Sequence, residues 1–501
     1  MKKLQSVSLG DELCIIDVES TFTRGLPGFA IVGLANAAIK ESTERIKACL
    51  MSKNYAFPAQ KITINLSPSG IPKNGSHFDL AMAILILLQK QAVDELFVFG
   101  ELGLDGAVKS TNELFSLLLF LSAKVDRARV LIPKALAEKA AMIPNLEVFA
   151  VESLDEAVEF FTQEKEKFRA KAAHPLFAKP LMIENQLYIP NTSFAYDYKD
   201  VKGQENAKFA CLIAALGMHN ILFEGSAGSG KSMCAKRLVY IMPPQSLNEV
   251  LLASAYQSLN AKDSEFSSLR PFRNPHHTST RASIFGGGTK GAKIGEVALA
   301  NGGVLFFDEF PHFGKIIIES LREPLEDNQI LVSRVNSKVC YETKFLFAAA
   351  QNPCPCGNLF SPTLSCRCTE IEIRRYKNCI SSAILDRIDL YVAMEKANPD
   401  DKGSVSSREL SERVLAGFVF QKKRGQDEFN AKLKDEQLAQ ICVADKDAQS
   451  TMELAVARYN LSQRAVNKTL KVARTCADLE QREVINKADI LRALSFRVRA
   501  G

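Results

Sequence analysis

The chain has 501 residues, of which 47% are hydrophobic and 24% charged. That length corresponds to roughly three domains of about 150 residues, and the composition is that of a globular protein, which excludes a disordered chain, a collagen-like repeat and a disulfide-stapled miniprotein. The 63 Lys and Arg residues exceed the 57 Asp and Glu residues by only six. Any nucleic-acid binding must therefore come from local basic patches and not from net charge.

The N-terminus predicts no secretory signal, because its two lysines are not followed by a sustained apolar run. The longest apolar stretch, residues 78–88, contains Asp79 and is far shorter than the roughly 20 residues that span a bilayer. We therefore expect a cytoplasmic protein without a membrane partner. Its 12 cysteines are expected to be reduced in that compartment.

Hydrophobic periodicity predicts the elements in chain order. In the N-terminal part, strands are predicted at 30–32, 61–66 and 95–100, and helices at 37–51 and 78–89. Residues 162–191 are charged, rich in turn formers and aperiodic, as is typical of a linker.

Residues from 196 to about 397 alternate helical segments with apolar runs, which is the pattern of a parallel α/β sheet. A polar stretch at 398–407 precedes a final segment that is predicted to be helical up to Gly501. The predicted domains are an N-terminal domain at 1–165, a linker at 166–195, an α/β core at 196–397 with a cysteine-rich insertion at 352–370, and a helical domain at 398–501.

A glycine-rich loop directly follows the apolar run 220–223. Its sequence fits the pattern G-x-x-x-x-G-K-[ST]: Gly225, Ser226, Ala227, Gly228, Ser229, Gly230, Lys231 and Ser232. The glycines let backbone N–H groups point at phosphate oxygens, Lys231 adds a charge at the β- and γ-phosphates, and the Ser232 hydroxyl can ligate Mg²⁺. With a strand before it and a helix after it, the loop indicates an ATP site and not an idle turn.

Polar residues end two later apolar runs. Asp308 and Glu309 follow the run 303–307, and we expect the first to hold Mg²⁺ and the second to polarise the attacking water. An acidic strand end alone is often only solvated, but together with the phosphate loop it indicates a nucleoside triphosphatase. Asn352 follows the run 345–350, where an amide would lie beside the γ-phosphate.

Two arginines are candidates for contacts with phosphate. Arg387 lies between Asp386 and Asp389, so it either forms a local ion pair or is presented to the nucleotide of a neighbouring subunit. Arg464 follows Ser462, a predicted N-cap, and either reaches a phosphate from the helical domain or is solvated.

Four cysteines cluster in two C-x-C pairs: Cys354, Cys356, Cys366 and Cys368. Such a set can close around one tetrahedral ion, which predicts a structural Zn²⁺ site. The usual spacing is C-x₂-C, so packed free thiols or redox chemistry are the alternative.

Two basic segments are candidate DNA contacts. Lys290 and Lys293 follow a glycine run, and Arg334 and Lys338 flank the turn of a predicted hairpin. A plain surface loop is the alternative for the first segment.

The adjacent His276 and His277 are predicted to be hydrogen-bonding loop residues, because neighbouring side chains diverge and are poorly placed to share a metal.

The ordered motifs are similar to those of a known family. They are GQE, GSAGSGKS, PFRNPHH, GEVALANGGVLFFDE, REPLED, QNPCPCG, CRC, LDRIDL and SQRAVNKTLKVARTCADL. Over nearly its whole length the chain resembles the ComM/YifB family of magnesium-chelatase-like AAA+ ATPases. The departures are small: Ser226-Ala227 replaces the usual Pro-Pro and Ala35-Asn36 the usual Pro-Asp.

The resemblance implies an AAA+ core followed by a helical lid, assembled as a hexameric ring. In that family the ATPase drives branch migration of DNA joints and integrates single-stranded DNA during natural transformation. The resemblance also supports the roles given above to Asp308, Glu309, Asn352, Arg387 and Arg464.

The N-terminal domain is similar to the α+β proteolytic domain of Lon-type proteases. His77 stands where that pattern has its serine and Phe115 where it has its lysine, with Ser76 and Lys109 as near misses. We therefore interpret it as a non-catalytic binding module.

A chelatase motor that acts on a protein or metallocofactor partner is the alternative function, although the sequence contains no D-x-S-x-S metal-adhesion motif.

Overall fold

The computed structural model describes residues 2–9, 13–89, 91, 93–163, 165–260, 265–288, 293–334, 337–360, 364–396, 401 and 403–497. The strands are β1 (Lys2–Leu9), β2 (Leu13–Thr23), β3 (Gly28–Val32), β4 (Lys61–Ser67), β5 (Phe97–Val98), β6 (Glu101–Leu102), β7 (Val108–Lys109), β8 (Ala128–Pro133), β9 (Leu146–Val151), β10 (Leu181–Ile183), β11 (Gln186–Ile189), β12 (Ile221–Gly225), β13 (Gln245–Ser246), β14 (Phe272–Arg273), β15 (Val304–Phe307), β16 (Gln329–Arg334), β17 (Ser337–Glu342), β18 (Leu346–Gln351) and β19 (Leu390–Met394).

The helices are α1 (Ala37–Ser52), α2 (Asp79–Leu87), α3 (Leu114–Ser122), α4 (Ala137–Ala140), α5 (Leu154–Thr162), α6 (Glu205–Gly217), α7 (Lys231–Ile241), α8 (Leu247–Ser258), α9 (Arg281–Phe285), α10 (Glu296–Leu299), α11 (Lys315–Ser320), α12 (Arg322–Asp327), α13 (Glu370–Lys377), α14 (Ser382–Leu385), α15 (Ser407–Lys423), α16 (Asp435–Ile441), α17 (Lys446–Tyr459), α18 (Gln463–Leu479) and α19 (Lys487–Ser495). None of the described helices is long and apolar enough to cross a membrane.

The chain divides into two compact units. The first consists of Met1–Lys179, Ser254–Phe266 and Leu331–Val339, and the second of Pro180–Ala253, Ser267–Ile330 and Cys340–Gly501.

A seven-stranded mixed sheet organises the first unit, in the order β3-β4-β2-β1-β5-β8-β9. The predicted strands at 30–32 and 61–66 are confirmed as β3 and β4, whereas the strand predicted at 95–100 shortens to β5. The predicted helices are confirmed as α1 and α2, and α2 is buried from Asp79 to Ile86. Asp79 is tolerated there because Arg45 of α1 donates to both of its oxygens, at 2.9 and 3.2 Å.

The stretch interpreted as a linker contains an unpredicted hairpin. Strands β10 and β11 are antiparallel, and β13 extends them to a three-stranded sheet. Glu184 and Asn185 make the turn, both with positive φ (47° and 63°). Strands of three and four residues are too short to show an alternating pattern, so the sequence did not reveal them.

A five-stranded parallel sheet is the framework of the second unit, in the order β14-β15-β18-β12-β19. Strands β15 and β18 are buried at every residue, which accounts for their apolar sequences up to Phe307 and Ala350. The predicted parallel α/β core is thereby confirmed. Because the strands are parallel and in register, their carboxyl ends meet at one edge of the sheet.

The C-terminal part is helical from α15 to α19, as predicted. Ser462 caps α18 by accepting a hydrogen bond from the Ala465 N–H. The buried Asp478 accepts hydrogen bonds from Gln421, Arg424, Asn430 and Arg474, so this helical part has a polar core with its charges compensated.

Candidate functional site

The glycine-rich loop lies at the carboxyl edge of the parallel sheet, between β12 and α7. Gly228 and Gly230 have φ values of 78° and 93°, which side chains with a Cβ adopt only under strain. Gly230 leads directly into the N-terminus of α7, whose first N–H groups are free to bind an anion. The Ser229 hydroxyl is buried and has no hydrogen-bond partner within the described part of the chain.

Lys231 lies with its ammonium inside this loop. Its Nζ donates to the carbonyl oxygens of Gly225 (2.6 Å) and Ser226 (2.8 Å) and to Oδ1 of Asn352 (3.2 Å). Burial lowers the pKa of Lys231, and the carboxylates of Asp308 and Glu224 oppose that shift. Neutral oxygens are weaker partners for a partly buried ammonium than a phosphate oxygen, so the loop fits a phosphate.

Asp308 and Glu309 diverge at the end of β15. The Ser232 hydroxyl donates to Asp308 Oδ2 at 2.8 Å, which places two oxygen ligands of the kind Mg²⁺ prefers next to each other. Glu309 has φ 52° and ψ 45°, a left-handed conformation that turns the chain away from the strand direction. Its side chain is 59% exposed, and its Oε2 lies 3.7 Å from Nδ1 of His277.

Asn352 follows β18, the strand between β15 and β12, and so reaches Lys231 from the neighbouring strand. A phenol also borders this site. Burial raises the pKa of Tyr376 to about 12, and the Asn352 backbone N–H donates to its oxygen. No signal in the sequence points to Tyr376, because a single tyrosine in the helix after the cysteines belongs to no motif.

Arg387 and Arg464 meet each other at the opposite edge of the sheet. Nδ2 of Asn220, which precedes β12, donates to the carbonyl oxygen of Arg387 at 2.9 Å. The length of β12, about 16 Å at 3.3 Å per residue, separates this edge from Gly225. Both guanidiniums donate to Glu326, Arg464 at 3.1 Å. Neither arginine therefore lies at the phosphate loop of its own chain.

The four clustered cysteines converge, with all Sγ atoms within 4.8 Å of one another. The Sγ atoms of Cys354, Cys356 and Cys366 are 3.5, 3.6 and 3.7 Å apart. Thiolates bound at 2.3 Å to a tetrahedral zinc lie about 3.8 Å apart, whereas a disulfide requires about 2.05 Å. The spacing fits a metal, and hydrogen bonds from the backbone of Arg367 and Asn358 lower the pKa of Cys356 to about 6.

The candidate DNA contacts are only partly described. Lys290 lies outside the described residues, and Lys293 forms an isolated bridge with Gly287. The hairpin strands are confirmed as β16 and β17, which carry Arg334 and Lys338. Away from these segments, His276 Nδ1 bonds the Thr278 hydroxyl at 2.8 Å, as expected for a loop residue.

Comparison with known proteins shows the family. The profile described as "Magnesium chelatase, subunit ChlI" matches residues 197–402. Those described as "Subunit ChlI of Mg-chelatase" and "Magnesium chelatase, subunit ChlI C-terminal" match 18–135 and 404–497.

Full-length relatives decide the assignment. The chain is 33% identical to Competence protein ComM of Haemophilus influenzae, over 98% of this chain and 96% of that protein. The chain belongs to the ComM/YifB family of magnesium-chelatase-like AAA+ ATPases. It is also 34% identical to the uncharacterized protein YifB of Salmonella typhimurium and 33% identical to that of Escherichia coli, each over 98% of this chain and 95% of the relative.

For this ComM/YifB family member, Lys231 and Glu309 allow the site to be tested in two parts. Lys231→Ala is expected to weaken ATP binding about 10- to 100-fold, because a charge-assisted contact with phosphate is lost. Glu309→Gln is expected to retain binding and slow hydrolysis by about 10²- to 10⁴-fold, since the amide cannot act as a base. Nucleotide binding and turnover are measured side by side, with Lys236→Ala on the exposed face of α7 as control. Wild-type turnover by Glu309→Gln would contradict its assignment.

The cysteine cluster is expected to hold about one zinc per chain. Elemental analysis of the purified protein measures the metal directly. Cys354→Ser and Cys366→Ser should each lose it, because hydroxyls are poor zinc ligands, and Cys379→Ser, an exposed cysteine outside the cluster, should retain it. Zinc-free protein with full ATPase activity would overturn this assignment.

Proposed function

We propose that this chain is an ATP-driven ring motor that moves DNA strands by branch migration during homologous recombination in natural transformation. The observation that carries the proposal is the ATP site at one edge of the parallel sheet, within a chain similar over its full length to a competence protein. Lys231 and the loop N–H groups bind the phosphates, while Ser232 and Asp308 hold Mg²⁺, which neutralises phosphate charge when bound. Glu309 polarises the attacking water, and Asn352 senses the γ-phosphate.

The active unit of this proposal is a homo-oligomeric ring, a hexamer, with each ATP site between two subunits. The position of the two arginines supports it, because both lie at the sheet edge away from their own phosphate loop. In a ring, that edge would face the nucleotide of the next subunit, where a guanidinium stabilises the charge of phosphoryl transfer.

The N-terminal residues 1–165 form, in this proposal, a Lon-protease-like module without protease activity, which binds or assembles. His77 is fully buried and bonds the Val7 carbonyl at 2.8 Å, and Phe115 is buried. The Ser76 hydroxyl donates a hydrogen bond to the Glu101 carboxylate. A Ser–Lys dyad requires an amine in that position, so these contacts support a binding role. The remaining boundaries proposed are a linker at 166–195, the AAA+ core at 196–397 and the lid at 398–501.

DNA dependence of the ATPase tests the motor function. Basal turnover is compared with turnover in the presence of forked, three-stranded and duplex DNA, and strand movement is followed on the same substrates. Branched or single-stranded DNA should stimulate hydrolysis.

The magnesium-chelatase descriptions of the matching profiles favour one second candidate, a motor that remodels a protein or metallocofactor partner. Turnover indifferent to every DNA would favour that candidate.

The basic residues of the two candidate DNA-contact segments are expected to bind the DNA backbone without reading its sequence. Alanine at Lys290, Lys293, Arg334 or Lys338 should weaken DNA binding for all sequences and flatten its dependence on salt. Basal ATPase should survive while strand movement is lost. Lys487→Ala, an exposed charge of α19, serves as control. If all four variants moved strands like the wild type, the DNA path would have to lie in the N-terminal module.

Arg387 is expected to act in trans. Lys231→Ala chains and Arg387→Ala chains are each inactive by this proposal, but in mixed rings some interfaces pair an intact phosphate loop with an intact arginine. ATPase should therefore recover partly on mixing, and co-assembly is verified by pulling down one tagged chain. Absence of recovery despite co-assembly would assign Arg387 a role within its own chain.

A further inference from the structure

We infer that Glu326 is a positioning residue that holds Arg387 and Arg464 together as one phosphate-binding pair. The inference rests on the proposed action of these arginines on a neighbouring subunit's nucleotide. Glu326 belongs to the segment REPLED, residues 322–327, to which no role has yet been given.

The carboxylate of Glu326 bridges the two arginines with one oxygen each. Arg387 Nη2 donates to Oε2, and Arg464 Nη2 donates to Oε1 at 3.1 Å. Arg387 precedes β19 in the core, whereas Arg464 lies in the first turn of α18 in the helical part. Glu326 thus joins two side chains that are far apart in sequence at one point beside α12.

The charges around Arg387 favour such a bridge. Burial lowers the pKa of Arg387, and the charges of Arg464 and Arg322 lower it further, whereas the charge of Glu319 raises it. The two guanidiniums that bond to Glu326 repel each other, and the negative charge of the carboxylate between them offsets that repulsion. The side chain of Arg464 is 48% exposed, so without Glu326 its orientation would be free.

The bridge leaves most of the arginine donors available. Arg387 donates one N–H to the Ala383 carbonyl at 2.6 Å and one to Glu326, while its Nε is buried with no partner among the described residues. Arg464 has five N–H donors, of which one is seen bonded to Glu326. An unsatisfied buried donor costs about 1–3 kcal/mol, so Arg387 keeps hydrogen-bonding capacity that its own chain does not use.

The surroundings have room for that acceptor. Both arginines line a cleft of about 1290 Å³, whose walls also carry Lys468, Lys471 and several carboxylates, among them Asp389, which pairs with Lys468. A phosphoryl group that enters this cleft would find guanidinium N–H groups already oriented by Glu326. The carboxylate anchors the pair and does not occupy all of its donors.

A complementation test isolates this role. Glu326→Gln should lower ring ATPase about 10- to 100-fold, as expected when a catalytic group is misplaced by about 1 Å, while ATP binding and the unfolding temperature remain those of the wild type. Mixed with Lys231→Ala chains, it should recover activity, because its phosphate loop is intact and the other chain supplies intact arginines. Mixed with Arg387→Ala chains, it should not recover, since no interface then has a complete pair. Glu323→Gln, an exposed carboxylate of the same helix, is the matched control and should behave like the wild type.

Each other outcome overturns the inference. Unchanged turnover in Glu326→Gln would make Glu326 a bystander, and faster turnover would make it a brake that competes with phosphate. A fall in turnover without recovery by Lys231→Ala chains would mean that Glu326 acts within its own chain. The mixture of Lys231→Ala with Arg387→Ala is run in parallel. If this mixture fails to recover, the trans arrangement itself is wrong. If it recovers while the Glu326 mixture does not, only the role of Glu326 is wrong.

Discussion

The parallel pairing of β12 with β18, and of β18 with β15, is the constraint on which the candidate ATP site depends. Glu224 lies opposite Gln351, and Phe307 lies opposite Ala349. The three strands β12, β15 and β18 therefore end at nearly the same level of the sheet. That register brings Asp308 within hydrogen-bond distance of Ser232 and Asn352 within hydrogen-bond distance of Lys231, so both strand ends contact the phosphate loop. A shift of one residue in either pairing would move these side chains by about 3.3 Å and break those contacts.

The same sheet separates two sets of charged groups. The ammonium of Lys231 and the carboxylates of Asp308 and Glu309 lie at the carboxyl edge, and the arginines gathered by Glu326 lie at the amino edge. Opposite edges of a rigid sheet cannot meet within one chain. The proposed action of these arginines on a nucleotide therefore requires a second copy of the chain, which is the geometric basis of the proposed ring.

The cysteine cluster is joined to the ATP site by a very short path. Cys354 is two residues beyond Asn352, and a Cβ added at Gly357 would lie 3.8 Å from the Ala227 amide nitrogen of the phosphate loop. Tyr376, in the helix that follows the cysteines, receives a hydrogen bond from the Asn352 backbone. A metal that orders this insertion would thus fix the position of Asn352 from two sides.

Features that are contiguous in the chain can be predicted from the amino-acid sequence alone. These features are the phosphate loop with its flanking strand and helix, the acidic end of β15, the buried strands, the two C-x-C pairs and the Ser462 cap. Each is recognisable within about twenty residues, because its chemistry and periodicity are local. The short strands β10 and β11 left no such pattern. Three contacts become visible only in the folded chain: Glu326 bridges Arg387 and Arg464, His277 approaches Glu309, and Tyr376 borders Asn352. These contacts join separate elements, and how elements pack against one another is set by the fold as a whole and not by any local run of residues.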